Sequence, residues 1–384
     1  KIVLNLTAVK QGGQITRAIE FVKNFKKNCH FNDELIILLT DVLVDKIRES
    51  NHIKIVKITL LMNSKHWLAR MIWENFTQIK LIKLLKADLY LTFSHYLPLF
   101  KLNIPSIVLI SNIAPFTKLS FQKENFFGKL RLILLKITIL NSVKKASYII
   151  AISNYCKKIL YHYNICPKKI MVITNGVKKN KIKNFKKLTY LKFKKKYKYI
   201  LYISHFYRYK NFEQLLLAYS KLPKFVISEY RLKLVGCFYD KKYVSSLMDL
   251  AKKLDIDNRV DFIESLQENK LRSMYKGSSL FVFTSVIENS PNILLEAMSF
   301  GLPLLVVKTP PMPEFCSRSA MYFKIDDAKD LSNKINSLLA SNKILNKMSI
   351  NSFNRSKNYS WNLFTKNVIN LCHKSLVLEN SKAS

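Results

Sequence analysis

Two glutamates eight positions apart, Glu288 and Glu296, carry the clearest chemical signal in this sequence. They stand in the stretch FVFTSVIENSPNILLEAMSFGLPLLVV over residues 281–307. Ser290 is a good helix N-cap and Pro291 a good first helical residue, which predicts a helix over 291–300. Ile293, Leu294, Leu295, Ala297, Met298 and Phe300 make that helix apolar on most sides, so it is expected to be buried with Glu296 in its middle. The nearest cation downstream is Lys308, beyond the next predicted strand. Burying an unpaired carboxylate costs on the order of several kcal/mol, so Glu296 needs hydrogen-bond donors. The backbone, an arginine from elsewhere in the chain, or the hydroxyls of a ligand would each supply them. Glu288 precedes the helix, in a loop after a strand predicted over 280–283, where it is either solvated or faces a ligand. Flanking a helix N-terminus that can hold phosphate, the two together point to a ligand site more strongly than either does alone.

Glycine supplies the second signal, because the chain has only seven. Gly12 and Gly13 lie between the first predicted strand and the first predicted helix, where backbone N–H groups can be laid against a phosphate or a sugar. A plain turn is the alternative. Gly176 and Gly236 follow predicted strands, and Gly301, with Leu302 and Pro303 behind it, marks a helix stop.

The elements that must position these residues alternate along the chain. Short runs rich in Ile, Val and Leu fall at 1–6, 35–39, 53–58, 89–93, 107–110, 148–152 and 170–173, with helical patterns at 14–27, 67–85 and 130–143. Residues 178–198 hold eleven lysines and no acid, which reads as an exposed connection. Alternation then restarts, with strands at 199–203, 232–235, 260–263, 280–283 and 304–307 and helices at 211–222, 243–254, 268–275 and 291–300. Two more helices are expected at 328–340 and 361–372. Apolar strands alternating with helices indicate parallel sheets covered on both faces. The fold class is therefore α/β, with two Rossmann-like doubly wound domains at 1–178 and 199–358, a basic linker at 179–198, and a terminal helical segment at 359–384. Ligands of such sheets bind outside the carboxyl ends of the strands, so two facing sheets imply a cleft between the domains as the site.

The chain of 384 residues is 49% hydrophobic, enough for two cores, and its formal net charge is +39. Three readings of that charge stay open: nucleic acid, an anionic membrane face, or a compositional bias toward Lys, Ile and Asn. The lysines are spread over almost the whole chain, and carboxylates in a cleft would repel phosphodiesters, so no nucleic acid is expected as a partner. The basic, apolar segment 120–145 suits peripheral contact with an anionic membrane, or an ordinary helix covering the first sheet. Six scattered cysteines without a CxxC pair suggest thiols in a reducing compartment. With no charged-then-apolar leader and no apolar run near ~18 residues, the expected location is cytoplasmic, with peripheral association at the inner face of the membrane.

The wording ENSPNILLEAMSFGLP around Glu288 and Glu296 resembles the E-x7-E signature of glycosyltransferase family 4, the retaining GT-B enzymes that include many sugar transferases of cell-envelope polysaccharide synthesis. The resemblance covers nearly the whole chain. AISN at 151–154 with VITNGV at 172–177 is similar to the end of the family's first domain, and YISHFYRYKN at 202–211 to the segment that opens the second. LVG at 234–236, RVDF at 259–262 and YSW at 359–361 match further family motifs, the last opening a helix that packs back on the first domain.

What this resemblance implies is a nucleotide diphosphate sugar as donor, a glycan or lipid-linked acceptor, and transfer of a hexose-type sugar with retention. Glu296 would hold the donor ribose, Glu288 the hydroxyls of the transferred sugar, and Lys210 the diphosphate. Gly12 and Gly13 would form the loop over the diphosphate, and the backbone at Ser290, Pro291 and Asn292 would line the donor site with amide donors. Asn112 falls near a position that is often His in relatives, close to the reacting sugar. His205 stands where many relatives carry a diphosphate-binding arginine, so Arg208 or His205 itself is expected to assist Lys210. The one Asp-x-Asp pattern, at Asp255 and Asp257, precedes a predicted strand and so lies at the wrong end for a donor-site metal. Metal-independent transfer without a cofactor is expected. A catalytically inactive GT-B scaffold, acting as a partner subunit, is the alternative; loss of Lys210 or either glutamate would have favoured it, and all three are present.

Overall fold

Alternate residues of each strand in the first half of the chain enter different cores. Leu4, Ile37, Leu91, Leu109 and Ile150 meet Phe21, Phe25, Phe364 and Val368 on one side. Val3, Ile36, Tyr90, Val108 and Ile149 meet Ile82, Ile139, Val143 and Leu160 on the other. This is the period-two consequence of a pleated sheet buried on both faces. The computed structural model describes residues 1–10, 12–58, 72–122, 124–178 and 198–383. The basic linker expected at 179–198 therefore lies outside the described residues except for Lys198, which opens a strand, and the 67–85 helical pattern is described only from residue 72.

Two compact units emerge, one of Lys1–Gly176 with Ser360–Ser384, the other of Val177–Tyr359. In the first, strands β1 (Ile2–Asn5), β2 (Leu35–Leu39), β3 (Ile53–Lys57), β4 (Leu89–Thr92), β5 (Ser106–Ile110), β6 (Tyr148–Ala151) and β7 (Ile170–Val172) form a sheet of order β3-β2-β1-β4-β5-β6-β7. In the second, β8 (Lys198–Ile203), β9 (Tyr230–Gly236), β10 (Val260–Glu264), β11 (Leu280–Phe283), β12 (Leu304–Val307) and β13 (Met321–Phe323) follow the order β10-β9-β8-β11-β12-β13. Every ladder is parallel; Ile2 pairs with both Leu35 and Leu89, and Leu201 with both Lys233 and Phe281. Strand order thus reverses beside β1 in one sheet and beside β8 in the other, the switch points at whose carboxyl ends doubly wound sheets bind ligands.

Helix α1 (Gly13–Asn28) covers the first sheet together with the last helix of the chain (Trp361–Ala383). Trp361, Phe364, Val368 and Cys372 recur at helical spacing on the buried side of that last helix, and Phe364 meets Phe21 edge-on at 6.4 Å. Each such side chain contributes roughly 1.5–3 kcal/mol on burial. Gly176 has a steric reason: a Cβ there would collide with the backbone of Ser360 and Trp361, where the chain re-enters the unit.

The pattern reading of the second unit missed the short helices Lys224–Glu229 and Met312–Cys316, and also strand β13 and a longer helix at Asn342–Ser356. The strand has only three residues, and the longer helix is rich in Asn and Ser, which weaken both propensity and apolar periodicity.

Candidate functional site

The chain leaves β8 through Ser204, His205 and a turn at Arg208–Lys210, and leaves β11 through Thr284, Ser285 and Glu288. These exits flank the point where strand order reverses in the second sheet. Lys210 is fixed there by its own carbonyl, which accepts hydrogen bonds from Tyr202 Oη and Thr284 Oγ1, both at 2.8 Å. Tyr202 belongs to β8 and Thr284 follows β11, so both strands set the position of one residue. The Val286 amide donates to the Tyr209 carbonyl at 3.0 Å and joins the two loops again. Asn211, in the left-handed region at φ 55°, turns the chain into α2 (Phe212–Ser220).

Held this way, Lys210 Nζ lies 2.6 Å from Glu288 Oε1, with the two side chains 12% and 13% exposed. Ser285 Oγ donates to the same carboxylate oxygen at 2.7 Å. Burial is the largest single influence on the Lys210 ammonium and acts against it, yet Glu288 together with the Tyr209 and Tyr202 side chains outweighs it and holds the lysine pKa above its ordinary value. The site therefore keeps a fixed positive charge through the physiological pH range, and the Tyr209 ring packs against it at 4.8 Å.

His205 does not supply a second charge. Burial, then the field of Lys210, lowers its pKa, so the ring is neutral at pH 7 and offers a hydrogen bond. Its Nδ1 is enclosed without a partner. Arg208 is exposed, with its guanidinium over the Tyr243 ring at 5.1 Å, and among the described residues no ion pair joins it to Glu288. Of the basic residues expected around the diphosphate, Lys210 alone is brought to Glu288.

Glu296 occupies α3 (Asn292–Ser299) and has a different environment. Its Oε2 accepts from Tyr275 Oη at 3.1 Å, and Tyr275 is buried and stacked on Phe300 at 4.9 Å. Burial raises the Glu296 pKa above the usual carboxylate range; the Tyr275 hydroxyl and then Lys178 offset part of that rise. The cation that reaches this carboxylate comes from far upstream and not from Lys308. One expectation about the helix start is corrected. Pro291 has ψ 76°, outside the helical region, and takes the N-cap position, so the helix begins at Asn292. Pro291 offers no capping side chain, and the Asn292 amide donates to the Ser290 carbonyl at 2.9 Å.

In the first unit Gly12 has φ 61° and ψ −140°, a conformation open essentially to glycine, and precedes α1 with no side-chain cap. Asn112 follows β5, and its Oδ1 accepts from the Ala114 amide at 2.9 Å. Asp255 and Asp257 precede β10 and so lie at the amino end of the second sheet. Among the described residues, no three of His, Cys, Asp and Glu gather to hold a metal ion. Tyr202, Thr284, Ser285 and Tyr275 complete the site but had no sequence signal beyond their place in an element.

The sequence matches the family model described as "Glycosyltransferase Family 4" over residues 12–181 and the one described as "Glycosyl transferases group 1" over 184–355. It is 25% identical over 259 residues to the O-antigen chain mannosyltransferase RfbU of Salmonella typhimurium, covering 67% of each chain. It is 35% identical over 114 residues to an uncharacterised glycosyltransferase of Haemophilus influenzae, spanning 30% of this chain and 31% of that protein. Among solved structures, HepE of Anabaena in complex with UDP and glucose superposes with a TM-score of 0.72 at 16% identity, over 98% of this chain and 99% of HepE. WaaG, a glycosyltransferase involved in lipopolysaccharide biosynthesis, superposes with a TM-score of 0.71 at 14% identity, over 97% and 99% of the two chains. At such identities the structural likeness is one of fold.

Proposed function

The chain belongs to the group 1 and family 4 glycosyltransferases, with the two-domain GT-B fold, and from that premise we propose that it transfers a hexose-type sugar from a nucleotide diphosphate sugar to a glycan or lipid-linked acceptor in cell-envelope polysaccharide synthesis. The observation that carries this reading is the Lys210–Glu288 pair at the switch point of the second sheet. When a donor breaks its glycosidic bond, negative charge develops on the departing diphosphate. A permanently protonated Lys210, held by the Tyr202 and Thr284 hydroxyls, is a preorganised sink for that charge, and the positive end of the α3 dipole adds to it. Glu288 accepts from hydroxyls of the transferred sugar, and Glu296 from the ribose, with Tyr275 fixing its carboxylate. Lys210 performs the electrostatic task that a divalent cation would otherwise take, so transfer is metal-independent. Attack from the face of departure, and hence retention, follows from the family.

The helix at Phe126–Lys145 supports a peripheral membrane role. Ile139 and Val143 face the first sheet and Leu132 is buried, while Phe126 and Phe127 are 75% and 78% exposed and Ile133, Leu134 and Ile137 share the outer side. Lys129 and Arg131 lie among them, and the helix contains no acid. An apolar face ringed by cations fits an anionic bilayer carrying a lipid-linked acceptor. No described helix is long and apolar enough to cross a membrane.

A thermal-shift panel of UDP-, GDP- and ADP-sugars on wild type and Glu296→Ala tests the donor assignment. Saturation at about 100 times Kd stabilises by ~2.7 kcal/mol. A shift with one nucleotide family that vanishes in the variant is the expected result; folded protein that responds to none contradicts the reading.

A further inference from the structure

Val3, Ile36, Val108 and Ile149 line one face of the first sheet with apolar side chains, and Tyr90 of β4 brings a hydroxyl among them. Around that hydroxyl stand three buried polar residues, Asn5, Gln78 and Thr92. Asn5 ends β1 and Thr92 ends β4, and the two are direct partners across the switch point of this sheet.

The Tyr90 oxygen accepts from Asn5 Nδ2 and from Gln78 Nε2, both at 2.8 Å. A tyrosine hydroxyl has two lone pairs and one proton, so these bonds fill the lone pairs and leave the proton for a third group. Burial raises the Tyr90 pKa and keeps that proton in place, and the Thr92 side chain is the remaining hydrogen-bonding neighbour. Thr92 Oγ1 in turn accepts from the Ser94 amide at 3.1 Å and lies 2.5 Å from Ser94 Oγ. On the other side, Asn5 Oδ1 accepts from the Thr7 amide at 2.9 Å and from Thr7 Oγ1 at 2.7 Å. Tyr90 is the centre of a line of bonds that ends in the loops after β1 and β4.

Polar groups buried here cost stability relative to an apolar core, and what a satisfied network secures is a single geometry. Gln78 shows that emphasis. Its Oε1 is enclosed without a hydrogen-bond partner, so the side chain is kept for the bond that its Nε2 donates to Tyr90. A π-helical turn at Trp73–Thr77, a rare element that recurs at functional sites, leads into Gln78. Asn75 of that turn accepts from the Leu99 amide, so one helical segment holds the chain on both sides of the loop after β4.

We propose that Tyr90 is a positioning residue for sugar transfer: through Asn5 and Thr7, and through Thr92 and Ser94, its hydroxyl holds the loops leaving β1 and β4 in one mutual arrangement. The first of these loops reaches Gly12 at the entry of α1. The effect on transfer rests on the reading of that loop as part of the donor site; the coupling of the two loops does not.

Hydrogen exchange of the full chain without ligand tests the coupling. Tyr90→Phe keeps the buried ring and removes the oxygen. Exchange over residues 6–10 and 93–99 should rise together by about fivefold or more, the factor for roughly one hydrogen bond. Val108→Ala, a loss of apolar bulk on the same face, should leave both loops at wild-type rates. With the donor identified by thermal shift, Tyr90→Phe should lower kcat about tenfold or more and leave donor KM within about twofold, because misplacement acts on the transition state. Val108→Ala, assayed at the same margin below its own Tm, should keep wild-type kcat. Thr7→Val removes only the hydroxyl at the β1 end; it should show the same pattern more weakly, and serves if Tyr90→Phe does not fold. Exchange that rises in one loop alone, or in neither, overturns the coupling. Coupled loops with unchanged kcat, or an equal fall in Val108→Ala, overturn the role in transfer. A chain that turns over no donor contradicts the donor assignment instead, and the exchange rates then decide the coupling by themselves.

Discussion

Lys210 Nζ meets Glu288 Oε1 at 2.6 Å, and this contact ties the loop after β8 to the loop after β11 across 78 residues of sequence. The lysine needs the carboxylate to stay protonated in a buried place, and the carboxylate needs the lysine as its counter-charge. Either residue can then turn toward a ligand without leaving the other wholly unpaired.

Glu288→Gln should expose that dependence. With the partner gone, burial, the largest single influence on Lys210, is opposed only by Tyr209 and Tyr202, and its pKa should fall below the ordinary lysine value. In the wild type a raised lysine pKa contributes stability that is present below about pH 10.4, the unfolded value, and is lost at higher pH. In the variant the charged lysine destabilises instead. The loss relative to wild type should be about 2 kcal/mol at pH 7, under the ~3–5 kcal/mol of a fully buried pair, and should persist in large part to pH 10, because the wild-type contribution is lost only above about pH 10.4. Urea denaturation between pH 6 and 10 measures it.

Lys210→Ala should lower kcat at least ~100-fold with the donor identified by thermal shift, the scale seen when a preorganised donor to developing negative charge is removed. Turnover of the wild type should be unchanged by EDTA. Strict dependence on an added divalent cation would refute the role given to Lys210.

Glu296→Gln should separate stability from binding. The raised pKa of this carboxyl means that its contribution to stability is fully present below the unfolded pKa and lost as pH rises through the folded one. The variant should therefore melt higher than wild type at pH 7, with the difference vanishing below about pH 4. Donor affinity should fall about tenfold or more, the worth of roughly 1.4 kcal/mol of hydrogen bonding to the ribose. Calorimetric titration with the nucleotide, beside melting curves at both pH values, decides the matter.

Gly176→Ala places a methyl group against the backbone of Ser360 and Trp361. Backbone cannot step aside as a flexible side chain can, so the last helix must shift on α1. A loss of about 3 kcal/mol or more is expected, with a change in tryptophan emission from the displaced Trp361. Wild-type stability would show that the chain re-enters the first unit by another path.

Phe126→Ser with Phe127→Ser removes the most exposed apolar pair of the helix at Phe126–Lys145. Co-sedimentation with phosphatidylglycerol vesicles should fall several-fold while folding and donor response stay unchanged. Equal pelleting of variant and wild type would leave the association to general basicity, which high salt would then abolish.

Local residue pattern determined much of this protein. Apolar runs alternating with helical periodicity required two parallel sheets, because each element reports in its own sequence which of its faces is buried. The scarcity of glycine made Gly12 and Gly176 readable as backbone demands, and a carboxylate inside an apolar helix marked Glu296 as a residue in need of donors. Pattern failed where an element was too short or too polar to carry a period, as at Met321–Phe323 and Asn342–Ser356. Only the tertiary structure decided partners. Glu296 receives the hydroxyl of Tyr275 from another helix, Lys210 is held by strands β8 and β11, and Arg17 reaches Asn175 across 158 residues. Partner choice depends on which loops a sheet brings to the same end, and strand order, which sets that, leaves no mark on the residues themselves.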